Sequence, residues 1–227
     1  MNELLALARS PRRGAAQVLA GGRLSVAVFL VVVATAVAAI NAARFAADVP
    51  VSNILYGSTR SPVITSLIDA LGRDRAAILG YLIEQVWAAL VIVTAFSPLL
   101  VWILGSTAVH AAARIDGARR PLRPMLIFFG YATALTRIPA DGAAAILGSG
   151  QSAGAPFAQV IGTACLGWLA VMVWRAIEIH YALPAGRAAI VFLIGLVLFY
   201  LVPLALIIAA GIAILIAAIV LDYVPGL

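Results

Sequence analysis

The sequence predicts an all-α, polytopic membrane helical bundle with five spans, a cytoplasmic N-terminus, a C-terminus outside and short amphipathic surface helices. The first observation is composition: 64% of the 227 residues are hydrophobic and 11% are charged, whereas soluble domains are about half apolar and a quarter charged. The second is that several apolar runs reach the ~20 residues that cross a bilayer. The third is that arginines cluster beside these runs, as the positive-inside rule requires. Lipid must therefore solvate much of this chain.

Composition also excludes several functional classes. The net charge of +6 comes from fifteen arginines without a lysine, but these arginines flank apolar runs, so we expect no nucleic-acid partner. Cys165 is the single cysteine, which rules out an intramolecular disulfide. With two histidines and one cysteine, no metal-ligand spacing occurs, and zinc and haem are not expected. The sequence therefore predicts no cofactor.

The first segment, residues 1–23, is predicted to be a cytoplasmic amphipathic piece. Apolar and basic residues alternate around Pro11 at helical spacing: Leu4, Leu5, Leu7, Arg9, Arg12, Arg13, Ala15, Val18 and Leu19. This pattern is typical of a short helix that lies on the cytoplasmic membrane face. A frayed basic tail is the alternative interpretation.

Residues 24–227 form the predicted membrane domain. Its spans are expected at about 24–43, 84–110, 125–147, 156–177 and 188–221. The first run is longer than the 7–15 apolar residues of a signal peptide, so we interpret it as an uncleaved span. The second run lacks a hairpin loop, which predicts one long helix with a kink at Pro98.

Within span one, the small residues Ala34, Ala38 and Ala42 repeat every fourth position. Small residues at this spacing allow the backbones of two helices to approach closely in lipid. After this span, Ser61-Pro62 can begin a short amphipathic helix on the outer membrane surface, which ends at Gly72.

Arginine counting predicts the orientation. With five spans, ten arginines lie on the side of the N-terminus: Arg9, Arg12, Arg13, Arg23, Arg114, Arg119, Arg120, Arg123, Arg175 and Arg187. Four lie on the other side: Arg44, Arg60, Arg73 and Arg75. Because positive charge in short loops marks the cytoplasmic face, the N-terminus is predicted to be cytoplasmic.

One short segment resembles a sequence motif of catalytic sites. Residues 150–154, Gly-Gln-Ser-Ala-Gly, match the nucleophile-elbow pattern, which needs a preceding strand and a histidine near Ser152. The pattern instead joins two spans on the outer side, and both His110 and His180 fall at cytoplasmic ends. We therefore interpret it as a Gly/Ser turn and expect no enzymatic activity.

Arg137 and Asp141 flank Pro139 in span three and are four residues apart, so both can lie on one helix face. Ionisable groups inside a span are costly and mark either a pathway or a paired structural site. The functional interpretation is a polar cavity or a proton or ion step. The structural interpretation, which we favour, is a mutual pair near the outer interface.

Four further polar residues are candidates. Glu84 is a second acid in span two, near its outer end, where it can face headgroups. Arg175 and Glu178 are three apart and are expected to pair at the inner interface. His180 closes the same polar turn.

At this point the sequence resembles the Yip (Ypt-interacting protein) family, in its bacterial branch. The resemblance covers about residues 95–200. The stretches that carry it include Ser97-Pro98, Gly130-Tyr131-Ala132, Ile138-Pro139, Gly167-Trp168 and the run from Arg175 to His180.

The resemblance implies five spans, a cytoplasmic N-terminus and a place in the cytoplasmic (inner) membrane of a bacterium. Eukaryotic members bind Rab-type GTPases and act in vesicle traffic and membrane shaping, but the N-terminal region here offers little surface for a GTPase. We therefore expect a non-enzymatic protein of membrane organisation, or a scaffold. Its partners would be membrane lipids, membrane proteins or further copies of the chain. The alternative is a small transporter or channel component that uses Arg137, Asp141 and Glu84.

Overall fold

A computed structural model of the chain describes residues 2–48, 66, 73–148 and 152–223, and these residues are helical apart from short turns. The helices are α1 Asn2–Arg9, α2 Pro11–Gly21, α3 Leu24–Asp48, α4 Arg73–Leu100, α5 Ser106–Ile115, α6 Arg123–Leu147, α7 Ala155–His180 and α8 Ala185–Tyr223. A π-helical turn, Val101–Gly105, joins α4 to α5. The outer helix predicted at 61–72 falls, apart from Ser66, outside the described residues.

Among the residues that the structure describes, three helices are long and apolar enough to cross a membrane: Leu24–Asp48, Glu84–Ile115 and Ala155–His180. A shorter apolar helix, Ala185–Leu201, is the described apolar part of α8. The all-helical architecture and these apolar helices fit an integral membrane protein. α6 is not among the three helices, although the sequence predicts a span at 125–147.

α6 occupies the centre of the bundle, and this position accounts for its composition. Twelve of its 25 residues are buried, against five of 26 in α7. Its most extensive contacts are with α3 on one side and α7 on the other. A helix that faces protein on most sides does not need a continuous apolar surface, so α6 can carry Arg123, Arg137 and Asp141.

The α3–α6 interface is close-packed because both helices present small residues. The buried stripe of α3 consists of Ala27, Val31, Ala34, Ala38 and Ala42, each at most 1% exposed. The alanine repeat that the sequence indicated is therefore an interhelical seam. Opposite it, a Cβ atom added to Gly130 would lie 2.7 Å from the Cβ of Ala27. Close approach of this kind is the usual basis of helix association in lipid.

The second apolar run is continuous helix from Arg73 to Ile115, in agreement with the absence of a hairpin loop. Its π turn begins three residues after Pro98, which lacks the N–H needed for the α-helical ladder. The hydroxyls of Ser106 and Thr107 donate to the carbonyl of Ile103 within this turn. Trp102 Nε1 donates to the carbonyl of Leu126 at 2.8 Å, which ties the turn to α6.

The N-terminal segment forms a helical hairpin, α1–α2, that packs against α6 and α7. Leu7, Ala15 and Val18 are buried within the main core cluster. Gly14 allows the hairpin to close, because a Cβ atom there would overlap the backbone of Leu7. The apolar face that the sequence assigned to the membrane surface is thus covered in part by the bundle.

Candidate functional site: a polar cluster and an apolar cavity

The sequence-predicted pair Arg137 and Asp141 forms an ion pair inside the bundle. Arg137 Nε lies 3.1 Å from Asp141 Oδ2, with the Asp141 side chain 6% exposed and that of Arg137 29% exposed. The two atoms do not meet hydrogen-bond geometry, so the contact is mainly charge–charge. Arg137 Nη2 donates instead to Ser97 Oγ on α4 at 2.6 Å. The pair therefore links α6 to α4.

Residues from α3 complete this cluster. Asn41 Nδ2 lies 3.4 Å from Asp141 Oδ1, at the long end of the range for a hydrogen bond. Arg44 Nη1 donates to the carbonyl of Ala145, one turn beyond Asp141 on α6. We call Asn41, Arg44, Ser97, Arg137 and Asp141 the polar cluster. Sequence analysis found only its α6 members.

The signals for the missed members were weak but present. Asn41 and Arg44 are, with Asp48, the polar residues in the last turns of a mostly apolar helix. Polar groups in such positions usually find interhelical partners. Ser97 directly precedes Pro98, so the sequence is as consistent with a role for Ser97 in a helix kink as with an interhelical contact. Their contacts with α6 depend on how α3 and α4 pack against that helix, which residue spacing within one helix does not report.

The polar cluster lies well away from the other candidate acid. Glu84 is exposed on α4, and it lies thirteen positions before Ser97, which corresponds to about 20 Å of helix. The structure thus brings Arg137 and Asp141 together and leaves Glu84 apart from them.

A second set of polar contacts closes the opposite end of the bundle. Arg175 Nη1 donates to Glu178 Oε2 at 2.8 Å, as the spacing of three residues predicts. Arg12 of α2 approaches the other oxygen of Glu178 at 3.9 Å. His180 Nε2 donates to the carbonyl of Pro121 at 2.9 Å. Glu178 and His180 therefore join α7 to the N-terminal hairpin and to the segment before α6.

Three further links at this end connect α5, α7 and the start of α8, and sequence analysis did not predict them. His110 Nδ1 and Tyr181 Oη are 2.9 Å apart, Trp174 Nε1 donates to Ala185 O at 3.0 Å, and Arg187 pairs with Asp116 at 2.8 Å. Burial raises the pKa of the Tyr181 phenol, so its hydroxyl stays protonated. We call these three links the floor, because an apolar cavity lies directly above them.

The apolar cavity has a volume of about 550 Å³ and lies between α7 and α8. Its back wall includes Gly105 of the π turn and Phe129 of α6, and Gly167 and Gly195 line its sides. Its lining includes none of Arg137, Asp141 and Glu84. The cavity and the polar cluster are therefore separate features on different sides of α6.

Residues of the family-like motif occupy structural positions. Gly130, Tyr131 and Ala132 are buried on α6, and Trp168 is partly buried and packs against the core. α6 continues through Pro139 without a break. These residues therefore belong to the packed interior of the bundle or contact it.

The Gly/Ser turn holds no catalytic constellation among the described residues. The Ser152 hydroxyl donates to the carbonyl of Leu147 at 3.3 Å. His180 stands at the other end of the 26-residue α7, about 39 Å along the helix. In the part of the chain that the structure describes, no group of three His, Cys, Asp or Glu side chains is arranged to hold a metal ion.

Fold and site together define a class: a helical bundle with membrane-length apolar helices, an interhelical polar cluster and an apolar cavity. No protein-family model, curated protein or solved structure matches the chain.

Proposed function

We propose that this chain is a non-enzymatic, multi-pass protein of the Yip type that organises lipids or partner proteins in the bacterial inner membrane. The observation that carries the proposal is the position of the Arg137–Asp141 pair. The two charges face each other, groups from α3 and α4 contact them, and the pair does not line the apolar cavity. A pair held in this way serves to fasten helices.

The proposed topology has five spans, with α6 and α8 as the third and fifth, and a cytoplasmic N-terminus. The arginine count supports it. The central position of α6 supports it as well, because a helix shielded by neighbours can cross lipid with fewer apolar residues. Reporter fusions after Gly117 and Pro184 should then report cytoplasm, and fusions after Gly57 and Ser152 should report the exterior. An exterior signal after Gly117 would contradict the five-span topology.

A cationic cytoplasmic face supports the organising role. Arg9, Arg12 and Arg13 of the hairpin are exposed, as are Arg119 and Arg120 of the loop before α6. The negative surface potential of an anionic leaflet attracts such a face. The hairpin is fixed to the bundle by its buried Leu7, so these charges are held in place on the membrane domain.

The experiment that tests the proposal is ion and proton flux in liposomes that contain the purified chain. The parent and the Asp141→Leu variant should both give the flux of empty liposomes. The Arg175→Leu variant is a matched control, since it removes an arginine from a second ion pair at the bundle end. Flux in the parent that Asp141→Leu abolishes and Arg175→Leu preserves would establish the transporter alternative and contradict the proposal.

A further inference from the structure

We propose that the apolar cavity between α7 and α8 holds one acyl chain of an anionic phospholipid from the cytoplasmic leaflet, with its headgroup against Arg187 of the floor. This inference deepens the proposed function and rests on its topology. It identifies one class of lipid that the protein would organise.

The size and chemistry of the cavity fit an acyl chain. A volume of about 550 Å³ lies within the range of about 300–1,000 Å³ that ligand pockets occupy. Val109, Val173 and Phe192 close its lower end, and Gly167 leaves open space on the α7 side, where a Cβ atom would meet nothing within 4 Å. Such a lining favours a hydrocarbon and offers little to a polar solute.

The depth of the cavity matches one leaflet. On α7 its lining runs from Thr163 to Val173, which is about 15 Å of helix, or half of the ~30 Å hydrocarbon core. Val173 stands about 10 Å from His180 at the helix end. In the proposed topology that end is cytoplasmic. Thr163, at the other end of the lining, lies about 25 Å from it in a helix of about 39 Å, so the cavity extends from the cytoplasmic half of α7 to just past its middle.

The mouth of the cavity faces lipid. Leu166 of α7 is 67% exposed, and Leu196 and Tyr200 of α8 are 42% and 64% exposed. These residues line the cavity and lie at the depth of the hydrocarbon. A chain can therefore enter sideways between α7 and α8, while the floor blocks exit toward the cytoplasm.

Charge complementarity selects the headgroup. The predicted cytoplasmic segments contain ten arginines and three carboxylates, Glu3, Asp116 and Glu178. Arg187 belongs to the floor, and its side chain is 54% exposed despite its pair with Asp116. Guanidinium has five donors, so Arg187 can bind a phosphate while it keeps this partner. An anionic headgroup is favoured over a zwitterionic one.

Native mass spectrometry of the full chain tests this inference, with micelles doped with phosphatidylglycerol or with phosphatidylcholine of the same acyl chains. Gly167→Leu places a side chain inside the cavity, and a Cβ at Gly167 meets no atom within 4 Å. Gly162→Leu is the matched control, because Gly162 lies on the same helix, is equally open and does not line the cavity. Ala170→Leu is a second cavity-filling variant.

The parent and Gly162→Leu should each retain one phosphatidylglycerol, and both cavity-filling variants should retain it at least about tenfold less. Arg187→Gln should reduce the preference for phosphatidylglycerol over phosphatidylcholine. Equal retention in Gly167→Leu and Gly162→Leu would overturn the inference, as would equal retention of both lipids by the parent.

The outcome is separable from that of the proposed function. Lipid retention together with ion flux would contradict the proposed function and leave the lipid site intact. Absence of both retention and flux would overturn the lipid site and leave the proposed function intact.

Discussion

The two sides of α6 differ in how they are packed. Toward α3, backbones approach so closely that Gly130 has no room for a side chain against Ala27, and the polar cluster adds links between helices. Toward α7 and α8, glycines line an open apolar cavity. Glycine thus serves opposite purposes on the two sides: at Gly130 it permits contact, and at Gly167 it leaves space.

This difference indicates a division of roles. The closed side fixes the bundle, because its small residues and its ion pair tolerate little change. The open side retains a volume that close packing would have eliminated, since protein interiors rarely contain voids of this size. If the comparison is correct, substitutions on the closed side should be costly and similar substitutions on the open side should be tolerated.

The largest effect is expected in the polar cluster. Asp141→Leu leaves Arg137 without its counter-charge and should lower the free energy of unfolding in detergent by about 3 kcal/mol. Arg137→Leu should act similarly but less strongly, because the guanidinium is partly exposed. The double variant should recover much of the loss, since no uncompensated charge remains. Unchanged stability in all three variants would refute the inference that the Arg137–Asp141 pair fastens the helices.

The second effect concerns the close contact of α3 with α6. Gly130→Leu forces a side chain into Ala27 and should cost about 2 kcal/mol of unfolding free energy, measured by thermal unfolding in detergent. Gly142→Leu on the same helix is the control, because a Cβ there meets nothing within 4 Å. Equal stability of the two variants would show that the seam is looser than its geometry indicates.

A smaller effect is expected where the π turn is tied to α6. Trp102→Phe removes the indole N–H that donates to Leu126 O and should cost about 1 kcal/mol in chemical unfolding. Trp174→Phe removes a comparable bond at an exposed site, where water can replace it, so its cost should be lower. A larger loss of unfolding free energy for Trp174→Phe than for Trp102→Phe would show that the floor contributes more to stability than the link between the π turn and α6.

The smallest effect is expected on the open side. Gly167→Leu should change the unfolding free energy by less than about 1 kcal/mol, because the leucine side chain enters existing space. Leucine also has a higher helix propensity than glycine, which offsets the conformational entropy that its side chain loses in the folded protein. Thermal unfolding of Gly167→Leu beside Gly130→Leu measures the contrast directly. A cost at Gly167 equal to that at Gly130 would remove the distinction between the two sides.

Much of the fold follows from local patterns. Apolar runs of span length predicted α3, α6, α7 and the continuous helix that ends at Ile115. The described helices extend at most five residues beyond the predicted spans, except that α4 begins at Arg73, eleven residues before the predicted start at 84. The spacing of four residues in Arg137–Asp141 and of three in Arg175–Glu178 predicted two ion pairs that the structure contains. These features depend on residues near each other along one helix, so periodicity is sufficient to find them.

The sequence by itself thus determined the helical class, the apolar segments, the alanine seam of α3 and the local ion pairs. Tertiary structure alone decided that α6 is central, that Ser97 and Asn41 reach the pair, that the hairpin packs on the bundle, and that a cavity opens beside Gly167. The physical reason is that lipid-facing and protein-facing helix surfaces are both apolar. Hydrophobicity therefore locates a membrane helix but does not report which of its faces meets another helix, and that information lies in how side chains of different helices fit.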